Sequence, residues 1–404
     1  MKILRIIARL NVGGPARHVV WLTRFLANDE FDSRLIAGTV PDGEEDMSYF
    51  AMEHGVEPIY ISELSRELSL KDVVSLYKIF HEIRRYKPDI IHTHTAKAGT
   101  VGRVAAFIYK WMTLGTLVGR PNKVKVVHTF HGHVFHSYYG TLKTRVFLVI
   151  ERVLAAVATD RIVVISSQQM NEIHTRFGVG RKSQFVVIPL GIELEALKSS
   201  SQKRDAARAI FGAKPAEIVV GFTGRLTEIK NISLLLRSAK ECANEANFRF
   251  VIVGDGSLRS ELEVLAETLG VTENIMFLGN REDVSELLPG FDIIALTSRN
   301  EGTPLSLIEA MAAGVPVIST AVGGVVDIVG GVIEQFKGFD QCERGIAVNE
   351  QTPEFFAKGL IFLAKNERLR ESFSISGVEY TRSNYSVERL TSDISSLYRD
   401  MGKA

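Results

Sequence analysis

Cysteine is scarce. Cys242 and Cys342 are the only two in 404 residues, which excludes a disulfide framework and a thiolate metal site and fits a reducing compartment. Long hydrophobic runs are missing too. The uncharged stretch 310–326 is broken by Gly314, Pro316 and the pair Gly323-Gly324, so it makes a poor membrane span. The apolar start is interrupted by Lys2, Arg5 and Arg9, so no export signal is expected. These absences point to a cytoplasmic chain that is at most peripheral on the inner face of a membrane. No Walker loop and no Asp-x-Asp triplet occurs, which removes two common devices for handling nucleotide phosphates. Gly254-Asp255-Gly256 starts a G-x-G-x-x-G turn, but position 259 is Arg, which disfavours a nicotinamide dehydrogenase.

What is present is a balanced globular composition, 46% hydrophobic and 24% charged, in a chain too long for one core. Short runs rich in Val and Ile alternate with longer amphipathic stretches. Strands are expected at 2–10, 34–40, 58–61, 89–95, 125–131, 161–166 and 185–190, and then at 218–223, 249–253, 275–278, 293–297, 315–320 and 345–348. The runs scarcely alternate in polarity, as strands buried on both faces do not, so the class is α/β with parallel sheets. The pattern pauses between Gly191 and Pro215, across Ser199-Ser200-Ser201 and a charged run. The expected division is an N-terminal Rossmann-like domain at 1–190, a second at 191–385, and a final helix at 386–404 with apolar residues at Val387, Leu390, Ile394 and Leu397.

Net charge is +1, but its distribution is uneven. Residues 1–190 hold 25 Lys+Arg against 17 Asp+Glu, and residues 191–404 hold 23 against 30. The window 97–152 has nine basic residues and one acidic residue, Glu151. Either it is a solvated face or it meets an anionic membrane surface or a phosphate-bearing substrate, through Lys110, Lys123, Lys125, Lys143, Arg145 and Arg152. No nucleic-acid partner is expected.

In open parallel sheets, ligands collect beyond the carboxyl ends of the strands, and the informative residues lie there. In EGTPLSLIEAMAAGVPVIST, residues 301–320, Pro304 suits the first turn of a helix. The amides of Thr303, Leu305 and Ser306 would then form an anion site fit for a diphosphate. Glu301 and Glu309, eight residues apart, are placed to accept hydrogen bonds from sugar and ribose hydroxyls. In GFTGRLTEIKN, residues 221–231, Gly224 permits a close turn, and Arg225 and Lys230 put two cations in one loop. Such cations answer the charge growing on a departing diphosphate. After the first strand, Gly13 and Gly14 permit close backbone approach to a substrate, and Gly323-Gly324 invites the same reading. Histidines cluster at His92, His94, His128, His131, His133 and His136. Because no Cys is near and Asp89, Glu151 and Asp160 lack ligand-like spacing, no metal is expected. His131 should reach a cleft.

These residues resemble the family 4 glycosyltransferases, retaining enzymes of the GT-B fold that use nucleotide sugars. The resemblance runs from the Gly-Gly turn to the last helix. It implies two Rossmann-like domains with parallel sheets facing across an interdomain cleft, and a C-terminal helix crossing back to the first domain. It implies that Glu301 and Glu309 bind donor sugar and ribose, that Arg225 and Lys230 bind the diphosphate, and that His131 lies at the reaction centre. Gly13 and Gly14 would lie by the phosphates or acceptor, and Gly224, Gly302, Thr303, Pro304 and Leu305 would line the donor. The stretches HTHTAKAGTVGRVAA and HTFHGHVFHSYY look like members that build bacterial surface polysaccharides. The implied partners are a nucleotide diphosphate sugar, which is a co-substrate and by the subgroup resemblance UDP-linked, and a saccharide or lipid-diphosphate acceptor. Neither cofactor nor metal is expected. Alternatives are a related phosphorylase, a nucleotide-sugar hydrolase or epimerase, and a non-catalytic nucleotide-sugar-binding subunit. Asn231 departs from the family, which carries Gly after the lysine.

Overall fold

The computed structural model describes residues 1–11, 13–41, 46–64, 71–131, 141–243, 245 and 247–403. They form two compact units: residues 1–191 with 387–404, and residues 192–386. The first holds strands β1 (Lys2–Ile7), β2 (Asp32–Ala37), β3 (Ile59–Tyr60), β4 (Ile90–His94), β5 (Lys125–Phe130), β6 (Arg161–Val164) and β7 (Phe185–Val187) in one sheet of order β3-β2-β1-β4-β5-β6-β7. Every pair in it is parallel. Every residue of β4 is buried, which explains its lack of polar alternation: helices cover both faces.

The helix Val387–Lys403 lies in this first unit. Leu390, Ile394, Leu397, Tyr398 and Met401 share a core with Ile3 and Leu22. Arg389 donates to the carbonyls of Pro189 (2.8 Å) and Leu190 (2.6 Å), tying the helix to the end of the sheet.

The second unit holds β8 (Ile218–Thr223), β9 (Phe248–Val253), β10 (Ile275–Gly279), β11 (Ile293–Leu296), β12 (Val317–Thr320), β13 (Val332–Phe336), β14 (Phe339–Cys342) and β15 (Gly345–Val348), in the order β10-β9-β8-β11-β12-β15-β14-β13. The expectation of purely parallel sheets needs one correction here. β13 and β14 pair antiparallel with each other and β14 with β15, making an edge hairpin. Sequence reading missed both strands because neither carries the apolar run that marked the others: β13 is exposed along most of its length, and β14, though largely buried, holds Asp340 and Gln341 among its four residues. The pause at 191–215 is also more structured than expected. It contains the helix Ser201–Ile210, capped by Ser200, whose hydroxyl accepts from the Lys203 amide at 3.2 Å. Arg204 and Arg208 on that helix both grip Asp292, at 2.5 and 3.0 Å.

Candidate functional site

In both sheets the chain reverses its direction of growth once near the middle, between β1 and β4 and between β8 and β11. Adjacent loops there diverge and leave a crevice at the carboxyl ends of the strands. The sequence-selected residues lie beside those two points.

In the second unit, β8 leads into Gly224, whose φ of 148° suits glycine. Arg225 follows with an exposed side chain, and Lys230 closes a short 3-10 turn. Asn231 sits at φ 49°, in the left-handed region. Asn tolerates that region better than most side chains, which accounts for its standing where the family carries Gly. The loop after β11 is stitched to this one. Thr297 donates to the Lys230 carbonyl at 3.0 Å and the Arg299 amide to the Ile229 carbonyl at 2.8 Å. Lys230 Nζ lies 2.6 Å from Glu301 Oε1, and Ser298 Oγ donates to the same oxygen at 2.5 Å. The residues chosen for diphosphate and for sugar are thus hydrogen-bonded to each other.

The helix opening at this loop spans Leu305–Ala312, with Pro304 as its N-cap residue. Two expectations are corrected. Pro304 precedes the first turn rather than lying in it, and Thr303 stands outside the helix. The amides of Leu307 and Ile308 already bond to the Pro304 carbonyl, at 3.1 and 3.3 Å. The outward amides of the first turn are therefore those of Leu305 and Ser306. Glu309 lies one turn further on, half-buried.

The glycines after β9 and β12 make room for neighbouring backbone. A Cβ on Gly254 would overlap the Gly224 carbonyl oxygen, one on Gly323 that of Glu301, and one on Gly324 that of Gly302. The Gly324 amide also donates to the Glu301 carbonyl at 3.1 Å. These glycines let two backbones brace the loops that carry Arg225 and Glu301, so the close approach expected at Gly323-Gly324 is to protein.

In the first unit, the register His94↔Thr129 places His92, His94, Thr129 and His131 on one face, since paired residues and alternate residues share a side. His131 follows directly on β5. Its Nε2 lies 2.9 Å from His94 Nδ1. Beneath, His92 Nδ1 meets the Tyr398 hydroxyl at 2.6 Å and Nε2 the Thr129 hydroxyl at 2.7 Å. Arg5, fully buried, reaches both Tyr398 and Ser33. Burial lowers the pKa of His131 to about 3 and those of His18, His92, His94 and His128 well below the usual value, with neighbouring cations and imidazoles adding to the effect. The imidazoles are therefore neutral at working pH. Gly13, at φ 154°, is the N-cap of the helix Gly14–Phe25, and a Cβ there would meet only the Pro15 ring, at 3.7 Å.

Sequence reading passed over one residue. His18, buried on that same helix, packs edge-on to His131 and His94 with ring centroids 4.7 and 5.7 Å away. The loops after β1, β4 and β5 are neighbours in a sheet of this order, and that adjacency is the signal that could have found it. His133 and His136 lie outside the described residues. On the opposite face, His128 bonds to Thr93 at 2.8 Å, and Arg103 forms a buried pair with Glu151 at 2.6 Å. Lys97 is likewise buried and paired with Asp72 at 2.7 Å. Two cations of the basic window are thus internal and unavailable to a surface.

Fold and site together define a pair of doubly wound α/β units, the second bearing Arg225, Lys230 and Glu301 on two stitched loops ahead of the helix Leu305–Ala312. Family comparisons agree. Residues 12–196 match the model "Glycosyltransferase Family 4" and residues 203–379 the model "Glycosyl transferases group 1". The chain is 32% identical over 309 residues to the Escherichia coli UDP-Gal:alpha-D-GlcNAc-diphosphoundecaprenol alpha-1,3-galactosyltransferase, covering 74% of each. It is 24% identical over 383 residues to the Staphylococcus aureus capsular polysaccharide biosynthesis glycosyltransferase CapM, covering 93% of this chain and 91% of the relative. The crystal structure of Anabaena HepE in complex with UDP superposes with a TM-score of 0.80 at 20% identity, covering 99% of this chain and all of that one. The chain belongs to the family 4 glycosyltransferases. It is a glycosyltransferase of the GT-B fold.

Proposed function

We propose that this enzyme moves a sugar from a UDP-sugar to a saccharide or lipid-diphosphate acceptor in polysaccharide or glycolipid synthesis, with retention at the anomeric carbon and without a metal at the diphosphate. The observation that carries this reading is the Lys230–Glu301 contact of 2.6 Å, set beside exposed Arg225 and the amides at the helix start. A cation for phosphate and a carboxylate for hydroxyls lie within one ligand's width. The E. coli relative, by its name, transfers galactose from UDP to a diphosphoundecaprenol acceptor, which favours a uridine donor and a lipid-linked acceptor here.

As the bond from C1 to the diphosphate oxygen breaks, the nucleoside diphosphate leaves with the electron pair. Arg225, Lys230 and the amides of Leu305 and Ser306 stabilise its growing charge. The acceptor oxygen bonds to C1 on the face being vacated, and its proton passes to the departing phosphate oxygen. Glu301 orients sugar hydroxyls and Glu309 the ribose. A neutral His131 suits the role the family gives it, a hydrogen bond to the sugar. Thermal shift against a panel of nucleotide sugars identifies the donor through mass action, and NMR of the product then reads the anomer. An inverted product, transfer abolished by EDTA, or full-rate transfer by an Arg225→Met, Lys230→Met double variant refutes the proposal.

A membrane partner is part of the same proposal. Val146, Val149, Val153 and Val157 form an exposed stripe on the helix Thr141–Val157, and Trp111 and Met112 are exposed as well. Arg145 and Arg152 are exposed on that same helix, so apolar and basic groups share a face as in interfacial helices. The side chain of Lys143 lies outside the described residues. No described helix is long and apolar enough to cross a membrane. Co-sedimentation with anionic but not neutral vesicles, weakened by salt, is the expected result; equal pelleting with both removes the membrane from the reading.

A further inference from the structure

His18, on a helix, His94, at the end of β4, and His131, just after β5, converge on one point. One ring nitrogen of each lies within 4.8 Å of the other two. His18 and His94 are buried. Both nitrogens of His18, with His94 Nε2 and His131 Nδ1, are inaccessible and make no hydrogen bond among the described residues. A neutral imidazole carries one donor and one acceptor, and burying them unsatisfied is unfavourable. Three such rings packed together, with a single bond between two of them, need a partner that accepts lone pairs.

We propose that His18, His94 and His131 bind a transition-metal dication of the zinc class, one ring nitrogen each, with a fourth position open.

Imidazole nitrogens suit zinc, nickel and copper, whereas magnesium and calcium need oxygen ligands. Three histidines with one open position is a recurrent zinc arrangement. Metal–nitrogen bonds of about 2.1 Å set the ligand nitrogens about 3.4 Å apart, so side-chain shifts of about an ångström close the present site. His94 Nδ1 and His131 Nε2, which now share a proton, would both turn lone pairs to the ion as the proton moves to the far side of its ring. Burial has already removed competition from protons, since all three rings stay neutral. Two features hold the affinity down. The far nitrogens of His94 and His131 lack acceptors, and a missing outer partner weakens a site by about 10–100-fold. Arg5 and Arg389 also lie near enough to His18 to disfavour positive charge there. The ion is therefore exchangeable rather than a permanent part of the fold. If His131 acts on the donor sugar, a bound ion takes up its lone pair and lowers transfer; that consequence alone rests on the proposed function, whereas binding needs only the first unit.

The test uses full-length protein stripped with EDTA and desalted. Cobalt(II) is added while its visible d–d absorption is followed, and zinc(II) is titrated in competition with a chromogenic chelator. The expected result is one equivalent bound with a four-coordinate cobalt band, and binding weakened by at least about tenfold in His18→Gln and in His94→Gln. Tryptophan fluorescence and melting of the variants show that they fold. Nitrogen-15 NMR of histidine-labelled wild type gives a readout that does not depend on the variants: zinc should shift three imidazoles together. Absence of the cobalt band, a band unchanged in either folded variant, or no coordinated imidazole shift overturns the site. None of these failures touches the donor loops, whose reading is tested by UDP-sugar turnover.

Discussion

Acidification from pH 7.5 to 5.5 should destabilise the first unit and leave the second nearly untouched. All ten histidines lie between His18 and His174, within the first unit. Five of them, His18, His92, His94, His128 and His131, have pKa values lowered by burial. An unfolded chain returns each to about 6.5. Below that pH the unfolded state binds more protons than the folded one, so the stability present above pH 6.5 is lost as the pH falls toward the folded values. One pH unit below the free value costs about 1.4 kcal/mol per histidine. Five histidines at pH 5.5 thus bring up to about 7 kcal/mol, comparable with the whole stability of a typical domain, about 5–15 kcal/mol. The two tryptophans, Trp21 and Trp111, are also confined to this unit. Urea melts followed by tryptophan fluorescence therefore report it alone, while far-UV circular dichroism reports both units. The fluorescence midpoint should fall steeply between pH 6.5 and 5.5, and part of the dichroism change should keep its midpoint. A fluorescence midpoint constant over that range would refute the claim that these imidazoles are held neutral by burial.

Glu309→Gln should raise the donor KM by about tenfold, the loss of one charge-assisted hydrogen bond, with melting unchanged; an unaltered KM removes Glu309 from the ribose. Gly254→Ala drives a methyl into the Gly224 carbonyl and should cost about 1–3 kcal/mol and weaken UDP binding, read by calorimetry; normal affinity would show that the brace does not matter. Glu151→Gln breaks a fully buried ion pair with Arg103 and should cost about 3–5 kcal/mol in fluorescence-detected urea melts, whereas an Arg103→Met, Glu151→Leu double variant should recover much of it.

Much of the fold was legible because strands buried on both faces betray themselves as unbroken Val and Ile runs. β13 and β14 escaped because neither carries such a run: Val332-Ile333-Glu334-Gln335-Phe336 is exposed and reads equally well as surface, and Asp340-Gln341 interrupts the buried β14. The donor loops were legible as motifs, since Gly224-Arg225 and Glu301-Gly302-Thr303-Pro304 each occupy contiguous sequence. What braces them was not. Gly254 and Gly323 act on backbone 30 and 22 positions away in the chain, and only strand order brings them near. His18 was hidden for the same reason: a lone histidine on an apolar helix gains meaning only once β1, β4 and β5 are known to be neighbours.

The placement of the helix Val387–Lys403 in the core of the first unit has a bearing on how the chain is made. The ribosome releases the first 191 residues long before the segment that seals their sheet, because the whole second unit is synthesised in between. The domain begun earliest is finished last, and until then Ile3, Leu22 and Ile90 remain uncovered and prone to stray association. A stop codon near position 386 would remove under a twentieth of the polypeptide and yet leave the nascent N-terminal half without its closing wall.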